Sequence, residues 1–329
     1  MDKASSVFER LTHFVKRVFK TTLEVFFEAL KLSPNAQGYV AGSITELLLK
    51  EKLEREHEAE VKRIREKWEG RKLAAHHGDF YFKEPRRGLW FVMECKGLKS
   101  NSEKWHKLYN YANLKNFMIS HADTIHWVDR SREVEPQISA WVRDNLPKFA
   151  AEYAQNLYEY EEVRRYHENV PTRKTEKSAA MEAIGSLSRR EINGLIEQRL
   201  EYLMARLAVL ETHFVSGTSA SGQRTQATPR ADEFNIVSVD IYLRYTDHKF
   251  LFANPKLLEP SSDDPNHLQQ NYVIGFVFGD EHGTKQLSIG QEWSDDFEEV
   301  YKTVNSKDCV KEEDMQVDDR RVVLEEWEE

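Results

Sequence analysis

Gly78-Asp79-Phe80-Tyr81-Phe82 and, beyond a Pro85-Arg86-Arg87-Gly88 turn, Phe91-Val92-Met93-Glu94-Cys95-Lys96-Gly97 are the stretches that decide the fold. Both are short, rich in aromatic or branched residues and bounded by turn formers, so they read as the two strands of a hairpin. Pairing centred between Arg86 and Arg87 sets Asp79 opposite Glu94. Directly opposed side chains stand about 4.5–5.5 Å apart at Cβ. Glu94 and Lys96 are two apart on one strand, so they share a face, and Cys95 points the other way. The continuous apolar run Phe91-Val92-Met93 predicts a buried strand, and solvation alone does not explain an acid and a lysine at its end.

Two carboxylates that face each other without a cation repel, which raises the pKa of one of them. A hard divalent ion removes that penalty, and Mg²⁺ takes one or two protein carboxylates among oxygen ligands at about 2.0–2.1 Å, leaving places for water and phosphate. Such an ion would polarise a scissile phosphate and acidify a water. Three roles are open to Lys96: orienting that water, accepting its proton if its own pKa is depressed, or balancing charge in the transition state.

An acid on one strand followed by Glu-x-Lys on the next resembles the PD-(D/E)xK nuclease superfamily, here as Asp79, Glu94 and Lys96. The resemblance extends from Gly42 and Glu46 on the preceding helix, where members often place another acidic metal-site residue, to about residue 130. Gly78 stands where the name-giving proline would be. The resemblance implies a restriction-endonuclease-like α/β (mixed α+β) core and Mg²⁺ or Mn²⁺ on Asp79, Glu94 and Glu46. It further implies site-specific hydrolysis of double-stranded DNA by a homodimer, in the manner of a type II restriction enzyme. A second reading of Glu46 stays open, because Ser43-Ile44-Thr45-Glu46 is also a capping box.

Working outward, Val7, Phe8, Leu11, Val15, Val18, Phe19, Phe26 and Leu30 recur at helical spacing and predict an amphipathic helix over residues 1–35. Charges interrupt that pattern too often for a signal peptide or a membrane span. Within the catalytic segment, 36–132, a helix is expected from Ser43 to about Trp68, another from about Ser102 to Ile119, and a strand from Thr124 to Val128. Residues 133–214 read as helical, with the helices between 176 and 212 suited to dimer or domain packing, and 215–232 as a loop or linker. The segment 233–305 reads as β-rich, with strands at Ile236–Tyr245, Phe250–Ala253 and Tyr272–Phe278, and 306–329 as an acidic, solvated tail.

The chain has 329 residues, 40% of them hydrophobic, and should bury a sizeable core. A net charge of −9 argues against a surface coated with nucleic-acid-binding charge but leaves room for a local basic groove. Two cysteines, Cys95 and Cys309, build neither a disulfide framework nor a four-cysteine zinc site, and their scarcity predicts a reducing, cytoplasmic setting; the lack of a transmembrane segment predicts no membrane partner. No Walker or dinucleotide loop, nucleophile elbow or HExxH helix competes.

Candidate DNA contacts are Arg86, Arg87, Lys99 and Lys104, interleaved with Tyr81, Trp90, Trp105 and Tyr109, and the base-reading amides Asn266, Gln269 and Gln270. A second hairpin, Asp240 to Lys256, echoes the first, but Asn254 replaces the glutamate and supplies no charge for Mg²⁺. His76 and His77 are adjacent and point apart, which suits a loop contact to DNA rather than a metal. Two alternatives to restriction remain at this level: a repair or recombination nuclease of the same fold, and a non-catalytic DNA-binding or scaffold protein.

Overall fold

The computed structural model describes residues 3–65, 67–68, 71–72, 77–150, 188–214 and 228–318, a mixed α+β arrangement. His76, most of the 215–232 loop, the 151–187 part of the helical region and the last residues of the acidic tail lie outside these. The chain divides into two compact units. The first comprises residues 1–96, 232–238 and 304–329, and the second residues 97–231 and 239–303. The boundary therefore falls between Lys96 and Gly97, inside the segment the sequence reads as one catalytic core.

In the first unit the N-terminal amphipathic pattern forms two helices, α1 (Lys3–Phe19) and α2 (Leu23–Leu32). Lys20, at φ 54°, breaks the run, and the Thr22 side chain accepts the Val25 N–H to start α2. The next helix, α3 (Pro34–Glu56), opens nine residues before Ser43: Ser33 Oγ accepts the Ala36 N–H at 3.3 Å, and Pro34 occupies the first turn. Ser43 is thus interior to the helix, and the capping-box reading of Glu46 falls.

The helix also stops well short of Trp68. Glu60–Arg63 forms β1, and short strands β2 (Lys67–Trp68) and β3 (Arg71–Lys72) follow. The predicted hairpin is β4 (Phe80–Lys83) and β5 (Trp90–Gly97), paired Phe80↔Met93, Tyr81↔Val92, Phe82↔Phe91 and Lys83↔Trp90, the register expected from the sequence. β1 pairs antiparallel with the other edge of β4. Beside β5, the Asn235 N–H donates to Val92 O at 2.8 Å, so this sheet runs from β1 through β4 and β5 to Ile236–Ser238. Tyr81, Phe82, Phe91, Met93, Leu49 and Leu53 are fully buried.

The expected solvated tail is docked here over its described part. Val310 bridges Trp90, Val317 bridges Ile64, and the Gln316 N–H donates to the Tyr81 hydroxyl at 3.0 Å. Its apolar residues at 310 and 317 meet sheet edges, and this outweighs the acids between them.

The second unit is built on α4 (Ser102–Trp105), α5 (Tyr111–Ser120), α6 (Val134–Asn145), α7 (Pro147–Ala150) and α8 (Arg189–Met204). These lie with an antiparallel sheet of β6 (Leu207–His213), β9 (Asn271–Gly279) and β10 (Lys285–Ile289), in the order β10-β9-β6. Leu114, Met118, Ile138, Val142, Ile192, Ile196, Val209 and Phe276 share its core.

Three expectations change. The 102–119 helix splits at Lys107, at φ 55°, and restarts at the Asn110 cap. Thr124–Val128 is a series of turns rather than a strand, with the His126 N–H donating to Ser288 Oγ. Leu207–His213, read as helix end, is a strand buried along nearly its whole length, which a continuous apolar run does not distinguish from helix. The apolar stripe of α8 packs into this core, the domain packing that its segment was read as suited to. Between β6 and β9, β7 (Ile236–Asp240) carries the chain out of the first unit and is followed by β8 (Phe250–Ala253), with α9 (Phe297–Thr303) after β10.

Candidate metal centre

Asp79, Glu94 and Lys96 of the first unit stand where the ladder of β4 and β5 ends, and the charge of Glu46 reaches Asp79. The regular pairing stops at Phe80↔Met93, and Asp79 then departs from it. Its N–H donates to Met93 O, its carbonyl accepts the Ile64 N–H, both at 2.9 Å, and its carboxylate Oδ2 accepts the Cys95 N–H at 2.7 Å. A side-chain oxygen therefore occupies the position a backbone carbonyl would take in a continuing ladder, and the carboxylate is fixed beside Glu94. Gly78 permits this: a Cβ there would stand 2.5 Å from Val92 Cγ1 and 3.0 Å from Met93 O, so the proline of the family signature has no room. Trp90 to Met93 are buried, whereas Glu94, Cys95 and Lys96 are half-buried, so a dry strand reaches the surface at its acid and lysine.

The electrostatics follow from this placement. Burial, and then the charge of Glu94, push the Asp79 carboxyl well above the usual carboxylate range, against the Cys95 N–H, which lowers it; Glu46 adds to the rise. Lys96 forms an ion pair with Glu94 Oε1. Burial pulls the Lys96 ammonium down, but the charge of Glu94, its hydrogen bond and the charge of Asp79 outweigh this and leave it raised. Of the three roles open to Lys96, proton acceptor is therefore disfavoured, and the lysine stands as a fixed cation.

Glu46, from the middle of α3, pairs with Arg63 of β1 at 2.8 Å. Sequence reasoning missed Arg63 because it assigned Glu60–Arg63 to a charged helix. The signal that finds it is a strand next to β4, which brings residue 63 beside Phe80.

Among the described residues, no three His, Cys, Asp or Glu side chains stand ready to hold a metal ion. Here Lys96 and Arg63 already take up the charge of Glu94 and Glu46. Asp79 and Glu94 nonetheless supply carboxylate oxygens of the kind a hard divalent cation takes, and without one burial and the charge of Glu94 raise the Asp79 carboxyl.

The remaining sequence-predicted residues sit elsewhere. Arg86 and Arg87 occupy the turn at the other end of the hairpin, committed to Glu84 at 2.5 Å and to Val304 O at 2.8 Å. Tyr81, Trp90 and Tyr109 are buried and present no ring to a base. In the second unit, Lys99 lies 3.4 Å from Glu211 and over the exposed Trp105 ring, and Lys104 pairs with Glu197 at 2.5 Å. Asn266 is exposed and bonded to Asp264, the Gln269 N–H donates to the Tyr272 hydroxyl, and Gln270 O accepts the Phe214 N–H.

The Asp240 hairpin does not echo the first. Asp240 is fully buried and paired with His248 Nδ1 at 2.5 Å, while Asn254 caps the turn before Lys256 and donates to Thr303, so no acid pair forms.

Compared with family models, with curated proteins and with solved structures, the chain finds no match. Among the described residues no helix is long and apolar enough to cross a membrane.

Proposed function

We propose that this chain is a Mg²⁺-dependent endonuclease of the PD-(D/E)xK class that hydrolyses double-stranded DNA at specific sites as a homodimer, in the manner of a type II restriction enzyme. One observation carries the reading: a buried aspartate, pinned by the Cys95 N–H, stands under the charge of two glutamates and beside a lysine held as a cation. Carboxylates perturbed by burial and a like-charged neighbour cluster at functional sites.

In this reading Asp79 and Glu94 would hold Mg²⁺, or Mn²⁺ in its place, and Glu46, paired with Arg63 here, would be a third carboxylate for it. The ion supplies Lewis acidity toward the scissile phosphate and lowers the pKa of the attacking water. The protein's own part is placement and charge. Gly78 lets the strands approach, the Cys95 N–H aims one carboxylate oxygen, and Lys96 offsets negative charge as it grows on the transferring phosphoryl group. Of the proposed duplex contacts, Lys99 and Lys104 would meet phosphate, and Asn266, Gln269 and Gln270 would read bases. All four basic candidates already have partners, Arg86 and Arg87 at the distal turn, Lys99 with Glu211 and Lys104 with Glu197, and each would exchange that partner for phosphate.

The test is cleavage of phage and plasmid DNA by the purified protein with Mg²⁺, with EDTA, and with Lys96→Ala. Discrete fragments that need the metal and fall about 10²–10³-fold in rate in the variant are expected, the scale of removing one preorganised charge-stabilising group. Intact DNA bound with normal affinity by the wild type would favour a non-catalytic DNA-binding role.

A further inference from the structure

α3 has two apolar faces. Thr45, Leu49 and Leu53 are buried on one. Val40, Ile44 and Leu47 follow each other at i, i+4 and i+7, about 180° round the helix from that face at 100° per residue, and all three are exposed. A single apolar stripe is what a helix needs to dock on its own core. A second stripe at this spacing, on the side away from the core, is what a helix presents to another helix.

The stripe belongs to three successive helices, α1 packed on α2 and α2 on α3, that expose further apolar side chains. Of the fifteen large apolar side chains exposed among the described residues, eleven fall between residues 7 and 47. Phe8, Phe19, Phe27 and Tyr39 are 50–80% exposed. At roughly 200 Å² per aromatic side chain, these four alone show water on the order of 500 Å². That already matches the largest patch of a typical monomer, about 300–600 Å². With the seven aliphatic side chains the surface approaches the roughly 800 Å² that each partner contributes to a stable protein interface.

We infer that residues 7–47 form the surface through which two copies of this chain associate, with the Val40, Ile44 and Leu47 stripe of α3 set against its counterpart. The charges select this occupant. Between residues 7 and 47 stand five Lys and Arg side chains against four glutamates, so two copies do not repel, and a surface so balanced has little pull on anionic lipid or nucleic acid. Within each copy Lys31 stands 3.9 Å from Glu28 on α2, so part of this charge is already balanced before two copies meet. The inference concerns the homodimer of the proposed nuclease but rests on this surface alone, and its test reads mass rather than cleavage.

The test is light scattering and sedimentation of the full chain at micromolar concentration, for the wild type, for Val40→Glu with Leu47→Glu, and for Leu257→Glu, an exposed apolar site outside the surface. The expected result is a wild-type dimer, a Leu257→Glu dimer, and a double variant whose dissociation constant rises about a hundredfold or more, with unchanged circular dichroism. Two results would overturn the inference: a monomeric wild type, or a double variant as dimeric as the wild type.

Discussion

Buried beside Glu94 and under the charge of Glu46, Asp79 binds its proton more tightly in the folded chain than in the unfolded one. A group raised in this way contributes stability that is fully present below its unfolded pKa, about 3.9, and is lost as pH rises through its folded value. At neutral pH and without metal this buried carboxyl is therefore a burden on the fold. Asp79→Asn keeps an oxygen for the Cys95 N–H and removes the charge, so it should raise the melting temperature by a few degrees at neutral pH in EDTA. That gain should shrink as the pH is lowered toward the acid range, and scanning calorimetry across pH reads both effects. A variant less stable than the wild type at neutral pH would mean that Asp79 is a structural residue. Asp79, Glu94 and Lys96 were legible because hairpin geometry converts spacing directly into proximity. Arg63 was not, since its partner Glu46 lies on another element, and nothing in a charged run says which of its members faces an acid.

Among the elements, the hairpin was readable to the register because two strands joined by one tight turn leave few ways to pair. β1 was unreadable for the opposite reason: Glu60-Val61-Lys62-Arg63 is mostly charged, and only its pairing with β4 makes it a strand. β6 was misread because a buried strand and a buried helix share the same apolar run, and tertiary context decides between them. Helix ends followed the cap rather than the first periodic residue, which moved the start of α3 from Ser43 to Ser33. The close approach at Gly78 lends itself to a test at this scale. Gly78→Ala must displace the Val92 methyl and press on the Met93 carbonyl, so urea unfolding should show a loss of about 1–3 kcal/mol, the usual cost of overpacking. A neutral effect would mean that the strands meet less closely at this end.

For the molecule as a whole, composition set limits more than it identified. A charge of −9 is spread so that the first seven dozen residues carry many cations while the last two dozen concentrate acid, and part of that acidic stretch turns out to be docked on the sheet that bears the candidate centre. The apolar surface of α1 to α3 was visible in the sequence as helical periodicity, yet periodicity does not say whether a stripe is covered, and here much of it is not. The central claim is that the acids at the open end of the hairpin are a hydrolytic metal centre, and it has a direct test. Supercoiled DNA carrying a cleavable site should be cut by the wild type with Mg²⁺. Asp79→Asn, as stable as the wild type or more so and with equal DNA binding, should cut roughly 10³-fold more slowly or not at all. If Asp79→Asn cuts at the wild-type rate, the hairpin is not the centre and the account fails.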